Sequence, residues 1–337
     1  MSTEGRYWRA AWIGLAAFAA FGLILSIAGK HPLQAYVDTA AYVLGSLEGF
    51  TELFVRMGPL VMAALAVAIP ARIGLFNVGG EGQIYMGALF ATGAALHLAQ
   101  APAWLLLPAT IAAGFVGGAI WALLPALMRI TGVANEAITT LLLNYVAPLA
   151  VAYQIFGPWR SPESSSYPQS PRLAEAARLP VLPTTRLHAG LLIALACLAL
   201  CAYVFHRTRW GLEMRAIGGN RTAAEHLGLP VRSYVVLCMA IGGGIAGLAG
   251  MAEVSAIQGR LVSEVSPGYG YMGFLVAWLA GPSARAIAAM ALLFALISSV
   301  GDILQITQRV PFAVVNILMA AILFSVLCGG AVSRGIR

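Results

Sequence analysis

Arg215-Ala-Ile-Gly-Gly-Asn-Arg-Thr-Ala-Ala-Glu-His-Leu-Gly-Leu-Pro230 is a polar, basic, helix-forming segment in a chain that is otherwise almost wholly lipid-soluble. Apolar runs long enough to cross a bilayer, His188–His206 and Tyr234–Val254, stand on either side of it. A membrane protein keeps so long a polar segment between two spans when something in the cytoplasm grips it. The segment therefore reads as a docking surface, set in an all-α, polytopic membrane protein.

Composition supports that class. Hydrophobic residues make up 60% of the 337 residues and charged residues 10%, against about 25% charge in a soluble domain. A mean hydropathy of +0.84 points the same way. The net charge of +7 is carried by arginines and the single Lys30. Retention of basic residues on the cytoplasmic side explains it. No stacking platform accompanies the charge, so nucleic acid is not an expected partner. The cysteines Cys197, Cys201, Cys238 and Cys328 lie in apolar runs and read as small buried hydrophobes. No His/Cys cluster supports a metal. At the N-terminus, Arg6, Arg9 and an apolar run from Ala10 to Ala28 imitate a signal peptide. The run exceeds the ~7–15 residues of a signal core and reads as a retained span.

Apolar runs place spans near Trp8–Ala28, Leu53–Ala71, Gln83–Leu98, Trp104–Met128, Glu136–Phe156, His188–His206, Tyr234–Val254, Tyr269–Ala280, Arg285–Val300 and Pro311–Cys328, about ten helices in a single transmembrane domain, 1–337. Leu33–Thr51 is amphipathic and suits the outer interface. Gly281-Pro282 breaks the apolar stretch that contains it, which is tolerated where other protein covers the freed backbone. With the N-terminus inside, the larger share of the basic residues is cytoplasmic, and both termini and the docking segment lie there. The loop Gly157–Leu187, rich in Pro and Ser, is then external. It reads either as an irregular surface cover or as a contact for an external partner. Gly114 and Gly118, and Gly243 and Gly247, stand at the spacing that lets helix backbones approach in lipid. Packing within the chain is their expected use.

No catalytic motif is present: no Gly-x-Ser-x-Gly, no His-Glu-x-x-His and no nucleotide-binding Gly-x-x-x-x-Gly-Lys. The expected class is a transport subunit, not an enzyme. Polar groups within membrane segments are costly and so informative. Asn77-Val-Gly-Gly-Glu81-Gly-Gln83 reads either as a turn before a capped helix or as an interrupted helix along a polar pathway. Each Gly costs ~1 kcal/mol in a helix relative to Ala, so a break over Gly79, Gly80 and Gly82 is expected, presenting Asn77 and Gln83 to a solute or gate, with Glu81 bonded to freed backbone amides. Glu136, Thr140 and Asn144 share one helical face, which serves either a solute path or interhelical hydrogen bonding. Asn135 is a candidate N-cap. Glu253, Ser255 and Gln258 form a third cluster. In the docking segment Asn220 can cap a helix, Thr222-Ala-Ala-Glu225 fits a capping box, and Gly228 with Pro230 ends the helix.

Three stretches in order resemble a known family: Gly74-Leu-Phe-Asn-Val-Gly-Gly-Glu-Gly-Gln83, Asn135-Glu-Ala-Ile-Thr-Thr-Leu-Leu-Leu-Asn-Tyr145, and Arg207-Thr-Arg-Trp-Gly-Leu-Glu-Met-Arg-Ala-Ile-Gly-Gly-Asn220. They are similar to the branched-chain amino acid/ribose-type permeases of bacterial ABC importers. The subgroup is that of simple-sugar and nucleoside importers served by basic-membrane-protein lipoproteins. Ala223-Ala224-Glu225 with Gly228 resembles the Glu-Ala-Ala coupling loop of these permeases, with the triplet order changed. The resemblance spans about Leu53 to Gly330. It implies the all-α importer fold of the vitamin B12 permease, with broken helices. It implies a multi-pass protein of the bacterial cytoplasmic (inner) membrane, which imports nucleosides or simple sugars with a second permease subunit, ABC ATPase subunits and an external solute-binding lipoprotein or periplasmic protein. The chain would carry no cofactor, with ATP bound by the partner. The coupling loop 207–232 would engage the ATPase through Arg215, Asn220, Arg221, Thr222, Ala223, Ala224, Glu225 and Gly228. The polar residues Asn77, Glu81, Gln83, Glu136, Thr140 and Asn144 would border the solute pathway.

The rival is a secondary transporter or channel for a small polar solute. It would show inverted repeats and paired intramembrane charges, and no convincing repeat is seen.

Overall fold

The computed structural model describes residues 29–309 apart from 165 and 166, together with positions 19, 22, 23, 26 and 317. The spans expected at Trp8–Ala28 and Pro311–Cys328 lie essentially outside the described residues. Among the described residues all regular structure is helical, with two isolated bridges, Gln169–Val262 and Val181–His188. Eleven helices follow in order: α1 Pro32–Gly45, α2 Leu47–Ala71, α3 Gly80–His97, α4 Ala103–Thr131, α5 Glu136–Phe156, α6 Gly190–Arg207, α7 Arg209–Gly219, α8 Arg221–His226, α9 Val231–Ala252, α10 Tyr269–Ala280 and α11 Ala284–Gln308. A π-helical turn, Glu253–Gln258, extends α9. Among the described residues six helices are long and apolar enough to span a bilayer, namely α2, α4, α5, α6, α9 with its π turn, and α11, and α10 is a shorter apolar helix. The protein is thus a multi-pass, all-helical membrane protein.

The chain divides into two compact units. The smaller is formed by residues up to Leu53 and from Leu293 onward. There the amphipathic stretch Leu33–Thr51 is two helices, not one. Ser46 is extended (φ −128°, ψ 145°), and its hydroxyl accepts from Gly49 N at 2.9 Å, so the second helix starts at Leu47 instead of Leu53.

The larger unit is Phe54–Leu292. Its centre is α3, a helix buried around most of its circumference, packed with α4 and α9. Glycine makes the approach possible. A Cβ on Gly118 would overlap Gly243 O, one on Gly247 would overlap Gly114 O, and one on Gly250 would overlap Ile84 O. The small-residue pairs seen in the sequence therefore pack α4 on α9 within the chain. Gly281 (φ 59°) ends α10, and α11 begins at Ala284. This is the break foreseen at Gly281-Pro282. The loop after α5 is anchored against the 259–262 segment. Ser170 N donates to Leu261 O at 3.0 Å and Leu173 N to Gly259 O at 2.9 Å, while Ser170, Leu173, Ala177 and Leu179 are buried.

Candidate functional site

The chain between α2 and α3 leaves helical geometry at residues 72–79, and three side chains of α5 strap that break. Glu136 Oε1 accepts from Phe76 N at 3.4 Å. Thr140 Oγ1 accepts from Val78 N at 3.2 Å. The Asn144 amide takes Gly82 N at 2.8 Å and donates to Val78 O at 2.8 Å. Spaced i, i+4, the three polar residues lie on one face of α5 and so meet successive peptide groups of the chain that runs past it. Glu136 also pairs with Arg129 Nε at 3.0 Å, so its charge is partnered where the helix starts. Asn135 caps α5 by accepting from Ala137 N at 2.8 Å.

Asn77 and Gln83 form a closed pair. Asn77 Nδ2 donates to Gln83 Oε1 at 3.1 Å and Gln83 Nε2 donates to Asn77 Oδ1 at 3.0 Å. Asn77 also donates to Ala66 O at 2.9 Å and accepts from Gly79 N at 3.0 Å. Ala66 O needs an outside donor because Pro70, four residues on, has no N–H. Glu81 accepts from Gly270 N at 2.7 Å. It is a carboxyl cap on the first turn of α10, where backbone amides lack intrahelical acceptors.

The structure thus brings all six residues named for the pathway into one buried lattice: Asn77, Glu81, Gln83, Glu136, Thr140 and Asn144 are each at most 5% exposed. In this conformation their polar atoms serve the chain's own backbone and each other. The break lies earlier than the glycines suggested, since helix resumes at Gly80 with Gly80 and Gly82 in its first turn. These glycines are there for contact, not for bending. A Cβ on Gly80 would meet Gly270 Cα at 3.3 Å, and one on Gly82 would meet the Trp121 indole nitrogen at 2.9 Å. In the third cluster Glu253 and Ser255 are buried, and Gln258 Nε2 donates to Val265 O at 3.1 Å.

The polar segment between the two spans is two helices, α7 and α8. Thr208 caps α7. Asn220 caps α8, accepting from Ala223 N at 3.0 Å. The Thr222–Glu225 capping box is not formed. The cap falls two residues earlier, and Glu225 instead pairs with Arg221 at 3.2 Å, one turn back. Gly228 (φ 80°) ends the helix, its N–H reaching Glu225 O at 3.0 Å. Only Ala224 of α8 is buried, while Thr222, Ala223, Glu225, His226 and Gly228 are exposed, with Arg215 and Asn220 beside them and Arg221 half-buried. Leu227 is 79% exposed, an apolar knob on a polar surface.

Contacts that the sequence did not reveal hold this segment to the body. Tyr234 donates to the Glu213 carboxylate, and the Trp210 and Tyr234 rings lie 6.0 Å apart. Arg72, at the end of α2, places its guanidinium 4.3 Å from the Phe205 ring centre and donates to Pro282 O at 2.6 Å. Gly218 sits directly on Arg72 O.

Residues 49–327 match the family described as branched-chain amino acid transport system, permease component. The chain belongs to this family. Among relatives, it is 36% identical over 320 residues to the glucose ABC transporter permease protein TsgB13 of Haloferax volcanii, covering 92% of this chain and 84% of that one. It is 30% identical to the nucleoside ABC transporter permease protein NupB of Lactococcus lactis, covering 90% and 86%. It is 28% identical to the guanosine ABC transporter permease protein NupP of Bacillus subtilis, covering 95% and 92%. A solved structure, PsaBC from Streptococcus pneumoniae in complex with Fab, shares the fold at a TM-score of 0.51 and 14% identity, over 86% of this chain and 95% of that one. The permease is therefore a membrane transport subunit of an ABC importer and not an enzyme. It falls in the sugar and nucleoside subgroup, and family membership implies an ATPase partner and a substrate-binding protein.

Proposed function

We propose that this permease carries nucleosides or simple sugars inward across a bacterial cytoplasmic membrane. ATP bound and hydrolysed by the partner ATPase drives it, and an external binding protein delivers the solute. A second, different permease subunit completes the path. The fold is of the vitamin B12 permease type, with about ten spans and both termini cytoplasmic. The reading is supported by relatives whose names specify glucose, nucleosides and guanosine. The observation that carries the mechanism is α8, a capped, exposed helix with a projecting Leu227, seated on a base tied to the ends of α2, α6 and α9. Such a helix suits a groove on the ATPase, and closure of the ATPase would move the spans through it. The buried lattice joins α3, α5 and α10, so displacement of those helices would uncover amide and hydroxyl groups suited to an uncharged polar solute.

Glu225→Arg tests this role. Its pair with Arg221 is half-exposed, and such pairs are worth only about 0.3–0.5 kcal/mol, so insertion survives. Uptake is expected to vanish and ATP hydrolysis to lose its dependence on the binding protein. Unchanged uptake in reconstituted vesicles would remove α8 from the coupling path.

A further inference from the structure

Beside the lattice lies an aromatic surface that packing within the chain leaves open. Phe76, Tyr145, Tyr271 and Trp278 are 48%, 66%, 41% and 53% exposed. The Phe76 and Trp278 rings stack with centroids 6.0 Å apart and an interplanar angle of 17°. Tyr271 and Trp278, two turns apart, share a face of α10. Tyr145 follows Asn144, which accepts from Gly82 N, and Tyr271 follows Gly270, whose N–H bonds the neighbouring Glu81, so the two tyrosines stand beside the same turn of α3 and next to the buried lattice.

Depth decides what this surface faces. Tyr145 lies midway along the 21-residue α5. Tyrosines on a lipid face sit at the ends of spans, with hydroxyls among the headgroups, as Tyr153 near the outer end of the same helix can. A hydroxyl aimed at acyl chains at mid-span has no partner and is disfavoured. Two hydroxyls beside two large rings, backed by a polar lattice, suit an occupant with a flat or weakly polar face and a polar edge. Nucleobases and sugar rings share that form. A surface without charge also binds weakly, as a transport path requires if the solute is to leave.

We infer that Phe76, Tyr145, Tyr271 and Trp278 form a platform on the solute path, on which a nucleobase or sugar ring rests face-on while the two tyrosine hydroxyls bond its edge. This rests on the importer reading above.

The test uses the complete importer in proteoliposomes, with Tyr145→Cys and Trp278→Cys, and Val146→Cys as a control on an exposed position about 100° around α5 from Tyr145. A charged, water-soluble thiol reagent is expected to modify the first two at least tenfold faster than the control. Guanosine or glucose is expected to slow that modification. Modification no faster than at position 146 would mean that lipid or the second permease covers the surface, which overturns the platform. Modification that neither solute slows would overturn it too, leaving a wet wall without a ring site. As a second readout, Trp278→Leu should lower the ratio of solute delivered to ATP hydrolysed at least tenfold, with Trp278→Phe restoring most of it. An unchanged ratio also counts against the platform. Failure of the unaltered importer to take up either solute under ATP strikes instead at the importer reading, whatever the thiols show.

Discussion

Glu81 caps α10 from 189 positions away. Removing its carboxylate leaves Gly270 N without its acceptor, at about 1–3 kcal/mol for a buried unpaired group. Glu81→Leu should lower the thermal midpoint of the purified permease clearly, and Glu81→Gln, which keeps one acceptor oxygen, should recover most of the loss. Equal midpoints for the two variants would mean the cap is unimportant. His188 gives a pH prediction. It is buried ahead of α6, and its Nδ1 accepts from Gly190 N at 3.1 Å, which requires an unprotonated nitrogen. Burial, with Arg186 adding repulsion, lowers its pKa from 6.5 to about 4. The unfolded state therefore binds the proton first. The contribution of neutral His188 is fully present above about pH 6.5, falls as pH drops toward 4, and levels off below that, about 3 kcal/mol at most. Proteolysis of the 180–190 segment should accelerate over that window in the native chain and stay flat in His188→Gln. The residue types and spacing of Glu136, Thr140 and Asn144 were readable because a polar stripe on an apolar helix must face something polar. Their partners were not readable, since nothing local in the sequence encodes which distant amide a side chain reaches.

The contacts among α3, α4 and α9 depend on backbone touching backbone. Gly118→Ala would push Cβ into Gly243 O, and overpacking of this kind costs about 1–3 kcal/mol. Gly219→Ala meets nothing within 4 Å and should be neutral. A thermal midpoint unaffected by Gly118→Ala would contradict the packing. The glycine spacing was legible as close helix approach, and α4 on α9 is what it encodes. The anchored loop at 157–187 was only half legible, because Pro and Ser mark irregular chain without saying what it rests on. The starts and stops of α7 and α8 were partly readable, as Asn220 and Gly228 are strong local signals. Their seat was not: the Arg72 contacts to Phe205 and Pro282 join three distant parts of the chain.

Seen together, the permease has a close-packed centre of helices, a break strapped by α5, and a small exposed helix on a firm base. On the proposed reading, force applied at α8 would reach the strapped break through Arg72, which touches Phe205 and Pro282 at the start of that break. The helical class and the polar, helical segment between two spans were legible in the sequence because lipid demands apolar spans and tolerates few long polar insertions. The decisive test is uptake of labelled guanosine and glucose by proteoliposomes holding this permease, its second permease, the ATPase and the binding protein, with ATP and an ATP analogue that cannot be hydrolysed compared in the presence of ionophores. The account predicts accumulation of at least one solute against its gradient that requires hydrolysable ATP and survives collapse of ion gradients. Uptake that ignores ATP and disappears with the ionophores would contradict it and reveal an ion-driven carrier.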